Sequence, residues 1–231
     1  MKNIFTLTRH SIILFFLLSM SLFAKPAPLK VFFAGDLFSH KDLIGNIYLA
    51  DAIKKISNNK YELFLAQNKI QQKVHHKVIK DQDLKALVES DIAIFAFDGV
   101  ELDSGTVVEF MSAKFLDKPS VVYRTDFRGG SGEEVSIKID EENVEQNNKW
   151  NLMASFYPRT KVLYLNGMVE YQKVFKLNDR TDFIAKTYSE SIAHKIISAM
   201  EEVYNTPKII DTPNYQIKKE TFYKLMNIDP N

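Results

Sequence analysis

Six consecutive apolar residues, Ile92-Ala93-Ile94-Phe95-Ala96-Phe97, leave no polar side to face water. A run of that length and bulk suits a parallel strand buried on both faces. Such a strand needs a sheet with helices packed against both sides, so the run narrows the chain to layered α/β architectures. The chain then breaks at Gly99 and resumes with Asp103-Ser104-Gly105-Thr106. Asp103 or Ser104 can accept from the free N–H groups of a helix beginning around Thr106, because short oxygen-bearing side chains satisfy a first turn. Glu109 is then expected in that first turn, just past the C-terminal edge of the strand, where open α/β sheets bind their ligands. Spacing alone leaves the plainer reading open: Asp103 as an ordinary cap and Glu109 as an acid favoured by the helix dipole.

The rest of the chain repeats the same alternation. Lys30-Val31-Phe32-Phe33-Ala34 reads as a first strand, and Gly35 lets the chain turn close to a ligand at its end. Leu43, Ile47, Ala50, Ile53 and Ile56 recur at helical spacing, and Asn58-Asn59 ends that helix. Tyr61–Leu65 is the second strand, after which Gln67-Asn68 faces the pocket edge. A helix is expected from near Asp83, capped by Asp81 or Asp83, with Asp81 the better candidate. Lys118-Pro119 precedes the strand Ser120–Tyr123, Lys161–Leu165 is the last strand, and Ile184, Tyr188, Ile192, Ile196, Met200 and Val203 mark a long amphipathic helix. The expected fold is a doubly wound, flavodoxin-like, mostly parallel five-stranded sheet with helices on both faces. Its domain spans residues 25–204, with 126–149 a polar surface-loop insertion holding a short ribbon at Val135–Ile139, and 205–231 a C-terminal tail.

The first residues are of a different kind. Lys2 and Arg9 precede Ile12–Leu18, and Leu22-Phe23-Ala24 closes the stretch before Lys25 and two prolines. That order of basic, apolar and small residues is expected to be a secretory signal peptide over 1–24, cleaved after Ala24; Leu22, large for its position three before the cut, leaves an uncleaved anchor as the alternative, although the apolar run is shorter than the ~20 residues a spanning helix needs. The chain is therefore expected outside the cytoplasm, periplasmic or secreted, with no stable membrane association once the signal is removed. The chain has no cysteine, which excludes disulfides, thiol catalysis and cysteine metal sites. With 30 Lys and Arg against 29 Asp and Glu, nothing in its charge implies a nucleic-acid partner. His75-His76 reads as surface, since adjacent histidines diverge on a helix and no third ligand is suitably spaced. No metal or organic cofactor is expected.

Asp103-Ser104-Gly105-Thr106-x-x-Glu109-x-x-x-Ala113, followed by Lys118-Pro119, resembles the signature of the nucleoside 2-deoxyribosyltransferase family. Val31–Gly35 resembles that family's first strand and loop, with Phe32 where some relatives carry tyrosine and Asp36 where relatives often carry proline. Asp81-Gln82-Asp83-Leu84 stands where the family has a base-contacting aspartate, and Trp150-Asn151-Leu152-Met153 resembles the segment that reaches a neighbouring subunit's sugar. The resemblance implies Glu109 as nucleophile, Asp83 as proton donor to the base, and Asp103 as the group orienting the sugar or Glu109. It also implies substrate contacts from Phe32, Gly35, Asp98, Gly105, Thr106, Asn151 and Met153, with Asn151 crossing a homo-oligomer interface. Asp83, held in an apolar cleft near two other acids, is expected to have a raised pKa.

Three activities follow from these residues. The first is cleavage of the N-glycosidic bond of 2′-deoxynucleosides through a glycosyl-Glu109 intermediate, with transfer to another nucleobase; the substrates are then deoxynucleosides and free bases. In the second, water resolves the same intermediate, giving a nucleosidase or a deoxynucleoside 5′-monophosphate hydrolase in which Arg124 and Arg128 contact phosphate. The third is a catalytically silent nucleoside-binding protein, which gains little from clustering three carboxylates.

Overall fold

The computed structural model describes residues 26–69, 74–99, 102–126, 136–139, 142–145 and 154–230. The 1–24 segment, Arg128, and Trp150 to Met153 with Asn151 lie outside the described residues. The elements in chain order are β1 (Leu29–Ala34), α1 (His40–Ile56), β2 (Tyr61–Leu65), α2 (His76–Glu89), β3 (Ile92–Ala96), α3 (Ser104–Phe115), β4 (Ser120–Arg124), β5 (Ser136–Ile139) and β6 (Glu142–Glu145). They continue with β7 (Thr160–Tyr164), α4 (Gly167–Phe175), α5 (Thr181–Asn205) and α6 (Thr212–Leu225). Five strands form a sheet in the order β2-β1-β3-β4-β7, every pairing parallel. The order reverses between β1 and β3, which is the switch point where doubly wound sheets open a crevice. The ribbon expected at Val135–Ile139 is the antiparallel pair β5 and β6.

Strand alternation divides the core. Val31 and Phe33 of β1 join Ile92, Ile94 and Val121 under α1 and α5, whereas Phe32 and Ala34 join Ala93, Phe95 and Val122 under α2 and α3. In α1 the buried positions are Leu49, Ala50, Ala52 and Ile53, while Ile47, expected in the apolar stripe, is exposed. Two helices were not anticipated. α4 follows the last strand, and α6 docks Phe222 and Tyr223 against Leu84, Val88 and Leu116 of the α2/α3 layer. Among the described residues no helix is long and apolar enough to cross a membrane.

Helix starts also differ from expectation. α2 begins seven residues before Asp83, because His75 Nδ1 accepts from the Lys77 amide at 3.1 Å and takes the cap position. Asp81 therefore lies within the helix, paired with Lys77 at 2.5 Å and Lys80 at 2.8 Å, and caps nothing. α3 starts at Ser104 with Asp103 as its cap, which moves Glu109 from the first turn to the second.

Candidate active site

The cap of α3 sets the site. Asp103 Oδ2 accepts from the Thr106 amide at 2.7 Å and from the Thr106 hydroxyl at 2.9 Å, so the helix starts at a defined angle just beyond the carboxyl end of β3. Glu109, on the face of α3 turned towards the sheet, then reaches into a cleft of ≈ 160 Å³. Asp83 enters the same cleft from α2, and Phe32, Gly35, Gly105 and Thr106 line it as well. The structure thus brings together residues from β1, α2 and α3 that stand far apart in the chain. Phe32 stacks on Phe64 at 5.7 Å between ring centres, giving the cleft an aromatic wall.

Gly35 is required for closeness more than for turning. A Cβ there would come 2.7 Å from Ala96 Cβ, so the ends of β1 and β3 approach to a distance that admits only glycine. Gly99, by contrast, has φ 101°, a left-handed conformation that ends the β3 run where the sequence pattern breaks.

No described residue lining the cleft is a cation. Burial raises Asp83 to about 6. Burial, then repulsion from Asp83 and Asp103, raises Glu109 to about 8. The expected rise at Asp83 is present, but the larger one falls on Glu109. Between those two values the pair holds one proton. No group of histidine or acidic side chains able to hold a metal occurs among the described residues.

Asp98 and Arg124 serve the loop between β3 and α3. Asp98 accepts from the Thr125 amide at 2.5 Å, the Thr125 hydroxyl at 2.6 Å and the Asp126 amide at 2.9 Å. Arg124, buried, donates to Phe97 O at 2.9 Å and Gly99 O at 2.7 Å, so it is neither a surface charge nor open to a phosphate. Asp98 lines a different and larger cleft of ≈ 460 Å³ on the opposite face of the sheet. Asn46 of α1 lines both clefts and is missing from the sequence candidates. Its amide donates to Asp36 O and to Gln67 Oε1, each at 3.0 Å, and Gln67 in turn donates to Leu43 O at 2.8 Å. The signal available in the sequence is Gln67 at the pocket edge; nothing local marks its partner in α1.

A doubly wound sheet that holds three carboxyl groups in one cleft at its switch point, with no cation among the described lining residues, has the parts of an enzyme of glycosyl transfer or N-glycoside cleavage. Residues 31–153 match the model of the family described as nucleoside 2-deoxyribosyltransferase, and the chain belongs to that family. Among solved structures it is similar to a conserved protein from Enterococcus faecalis, with 31% identity, covering 46% of this chain and 69% of that one, TM-score 0.42. It is also similar to a 2-desoxiribosyltransferase from Leishmania mexicana, with 20% identity over 43% of this chain and 66% of that one, TM-score 0.37. A third is a CMP N-glycosidase from Clostridium botulinum, at 14% identity over 64% of this chain and 98% of that one, TM-score 0.39. No curated protein matches the chain.

Proposed function

We propose that the protein cleaves the N-glycosidic bond of 2′-deoxynucleosides through a covalent glycosyl-Glu109 intermediate and transfers the sugar to a second nucleobase. The observation that carries this reading is the cleft shared by Glu109, Asp83 and Asp103, with no cation among the described residues that line it. Placing three acids together without a counter-charge destabilises a fold, and chemistry that needs both an ionised and a protonated carboxyl group explains their retention. Carboxylate Glu109 attacks the anomeric carbon as the bond to the base breaks, and Asp83 gives its proton to the departing base. An acceptor base, deprotonated by Asp83, then takes the sugar and releases Glu109. One proton shared by the pair serves both roles: a base nitrogen that accepts from Asp83 draws it there and leaves Glu109 ionised. Asp103 aligns the sugar or Glu109 from its fixed place at the cap.

The cleft formed by the described residues is smaller than the about 300–1,000 Å³ usual for small-molecule sites. That supports a homo-oligomer in which a neighbour's Trp150–Met153 segment, with Asn151 and Met153, covers the sugar. Sedimentation of active protein checks it: full activity in a monomer removes the interface role. Export with cleavage after Ala24 is proposed from the Lys2/Arg9 flank and the apolar run, and the amino-terminal residue of protein recovered from each cell fraction checks it.

Occupation of Arg124 by Phe97 O and Gly99 O weighs against the nucleotide-hydrolase reading. The decisive assay incubates the protein with deoxynucleosides, with and without a free acceptor base, and follows products by chromatography. Exchange product that appears only with acceptor supports transfer; free deoxyribose formed equally fast without acceptor makes it a hydrolase; binding without turnover leaves the silent binding protein.

A further inference from the structure

The larger cleft has the features of a second ligand site. Its ≈ 460 Å³ lies between α1 and α5 at the carboxyl edge of the sheet, with apolar walls from Ile44, Leu49 and Ile192. Two polar groups there lack partners among the described residues. Tyr123 is 5% exposed, and no hydrogen bond engages its hydroxyl. The Asp36 carboxyl group makes no hydrogen bond either, whereas Asp42 is engaged by Ser39 and Asp98 by Thr125 and Asp126. The two free groups share one neighbourhood. Asp36 follows Gly35, which sits against Ala96, and Ala96 is the register partner of Tyr123.

The charges limit what fits. Among the described lining residues Asp36, Asp42 and Asp98 outnumber Lys41 and His40, which disfavours phosphate and so a nucleotide. An uncharged, flat ligand with apolar faces and a donor-acceptor edge satisfies both the walls and the free groups. We infer that this cleft is a holding site for a free amino-bearing nucleobase, adenine or cytosine, whose exocyclic amino group donates to the Asp36 carboxylate while the Tyr123 hydroxyl hydrogen-bonds the ring. Burial, then repulsion from Asp103, Asp42 and Asp98, raises the pKa of Asp36 against the opposing effect of Lys41. Asn46 is the partition between the two clefts, which places the held base one side-chain layer from the reacting carboxylates. The choice of a nucleobase rests on the glycosyl-transfer reading; the existence of a site does not.

Calorimetric titration with adenine, with cytosine and with inorganic phosphate tests it on the wild type, Tyr123→Phe, Ala185→Trp and Glu109→Gln. At this cleft the base is expected to bind the wild type and Glu109→Gln alike, about tenfold weaker to Tyr123→Phe, as loss of one hydrogen bond to a buried group implies, and not at all to Ala185→Trp, whose side chain fills it and leaves only binding at the catalytic cleft. Phosphate is expected to give no heat. The proposal is overturned if neither base binds at millimolar concentration, if Tyr123→Phe binds as tightly as the wild type, or if phosphate binds in competition with the base. Failure of the catalytic reading shows separately, as absent turnover while Tyr123-dependent base binding persists.

Discussion

The amino edge of the sheet and the Glu109 cleft bury charge in opposite ways. At the amino edge Lys118 is 5% exposed, and its ammonium donates to Val88 O at 2.7 Å, to Ser90 O and to the Tyr215 hydroxyl at 3.2 Å. Lys114 donates to Lys118 O at 2.7 Å and to Thr160 Oγ1 at 2.8 Å, and Arg159 pairs with Asp117 at 3.1 Å. These cations tie the starts of β3, β4 and β7 to α3 and α6. At the carboxyl edge no hydrogen bond or ion pair joins Glu109 or Asp83 to another described residue, and both pKa values rise. Charge buried among acceptors is part of the framework; charge buried without them costs stability and marks chemistry. The contrast breaks if substitutions at the two edges have the same kind of consequence.

The largest expected effect is at Glu109. Glu109→Gln lowers kcat/KM by roughly three orders of magnitude or more, because the nucleophile is gone. Its effect on stability has the opposite sign. A carboxyl group raised from 4.5 to about 8 in the fold leaves stability highest below 4.5 and lost as pH rises through 8. Thermal melts of Glu109→Gln should therefore match the wild type near pH 4 and lie a few degrees above it at pH 9. A variant that is both inactive and less stable at pH 9 places Glu109 among the framework residues.

Asp83→Asn comes next, with losses of about 10²–10⁴ on deoxynucleosides whose bases leave poorly and less on good leaving groups. It also moves the pH profile. Activity that needs one proton on the pair rises through about 6 and falls above about 8, and Asp83→Asn, which leaves only Glu109 to be ionised, removes the falling limb of kcat/KM. Equal loss on all substrates with the falling limb unmoved removes the acid role.

At the other edge Lys118→Met is expected to leave kcat of the folded protein unchanged and to cost about 2–5 kcal/mol of stability, since each carbonyl left without a donor costs about 1–3 kcal/mol. Denaturant unfolding beside an activity assay checks it. Activity loss greater than the loss of folded protein would join the two edges functionally and erase the comparison.

What was readable in the sequence follows the same division between local and distant causes. β3 and the Asp103 cap were legible because an all-apolar run and a cap with its free amides are interactions within a few residues. The family signature carried Asp83 and Glu109 into one cleft. The start of α2 was not legible, because a histidine fills the cap where aspartate was expected. α6 reads as polar tail: Phe222 and Tyr223 become core only against Leu84, Val88 and Leu116, more than a hundred residues earlier. Asn46 escapes for the same reason, since its role depends on Gln67 of another element. Buried Lys118 looks like any surface lysine until three acceptors from two distant segments, the end of α2 and α6, surround it.

The smallest effect is the most discriminating for Asp103, which has a role in both descriptions: cap of α3 and wall of the cleft. A Cβ at Gly105 would come 3.1 Å from Asp103 Oδ2, the oxygen already held by Thr106. Gly105→Ala must therefore displace that carboxylate by a few tenths of an ångström, while alanine gains up to about 1 kcal/mol over glycine within a helix. If Asp103 only caps, the thermal midpoint holds or rises and kcat/KM does not change. If Asp103 also aligns the sugar or Glu109, the midpoint holds or rises and kcat/KM falls several-fold, because misplacement by a whole ångström costs about 10²-fold. The second outcome is expected, since the cleft encloses Asp103 beside Glu109. It would show a single side chain joining the satisfied framework to the unsatisfied site.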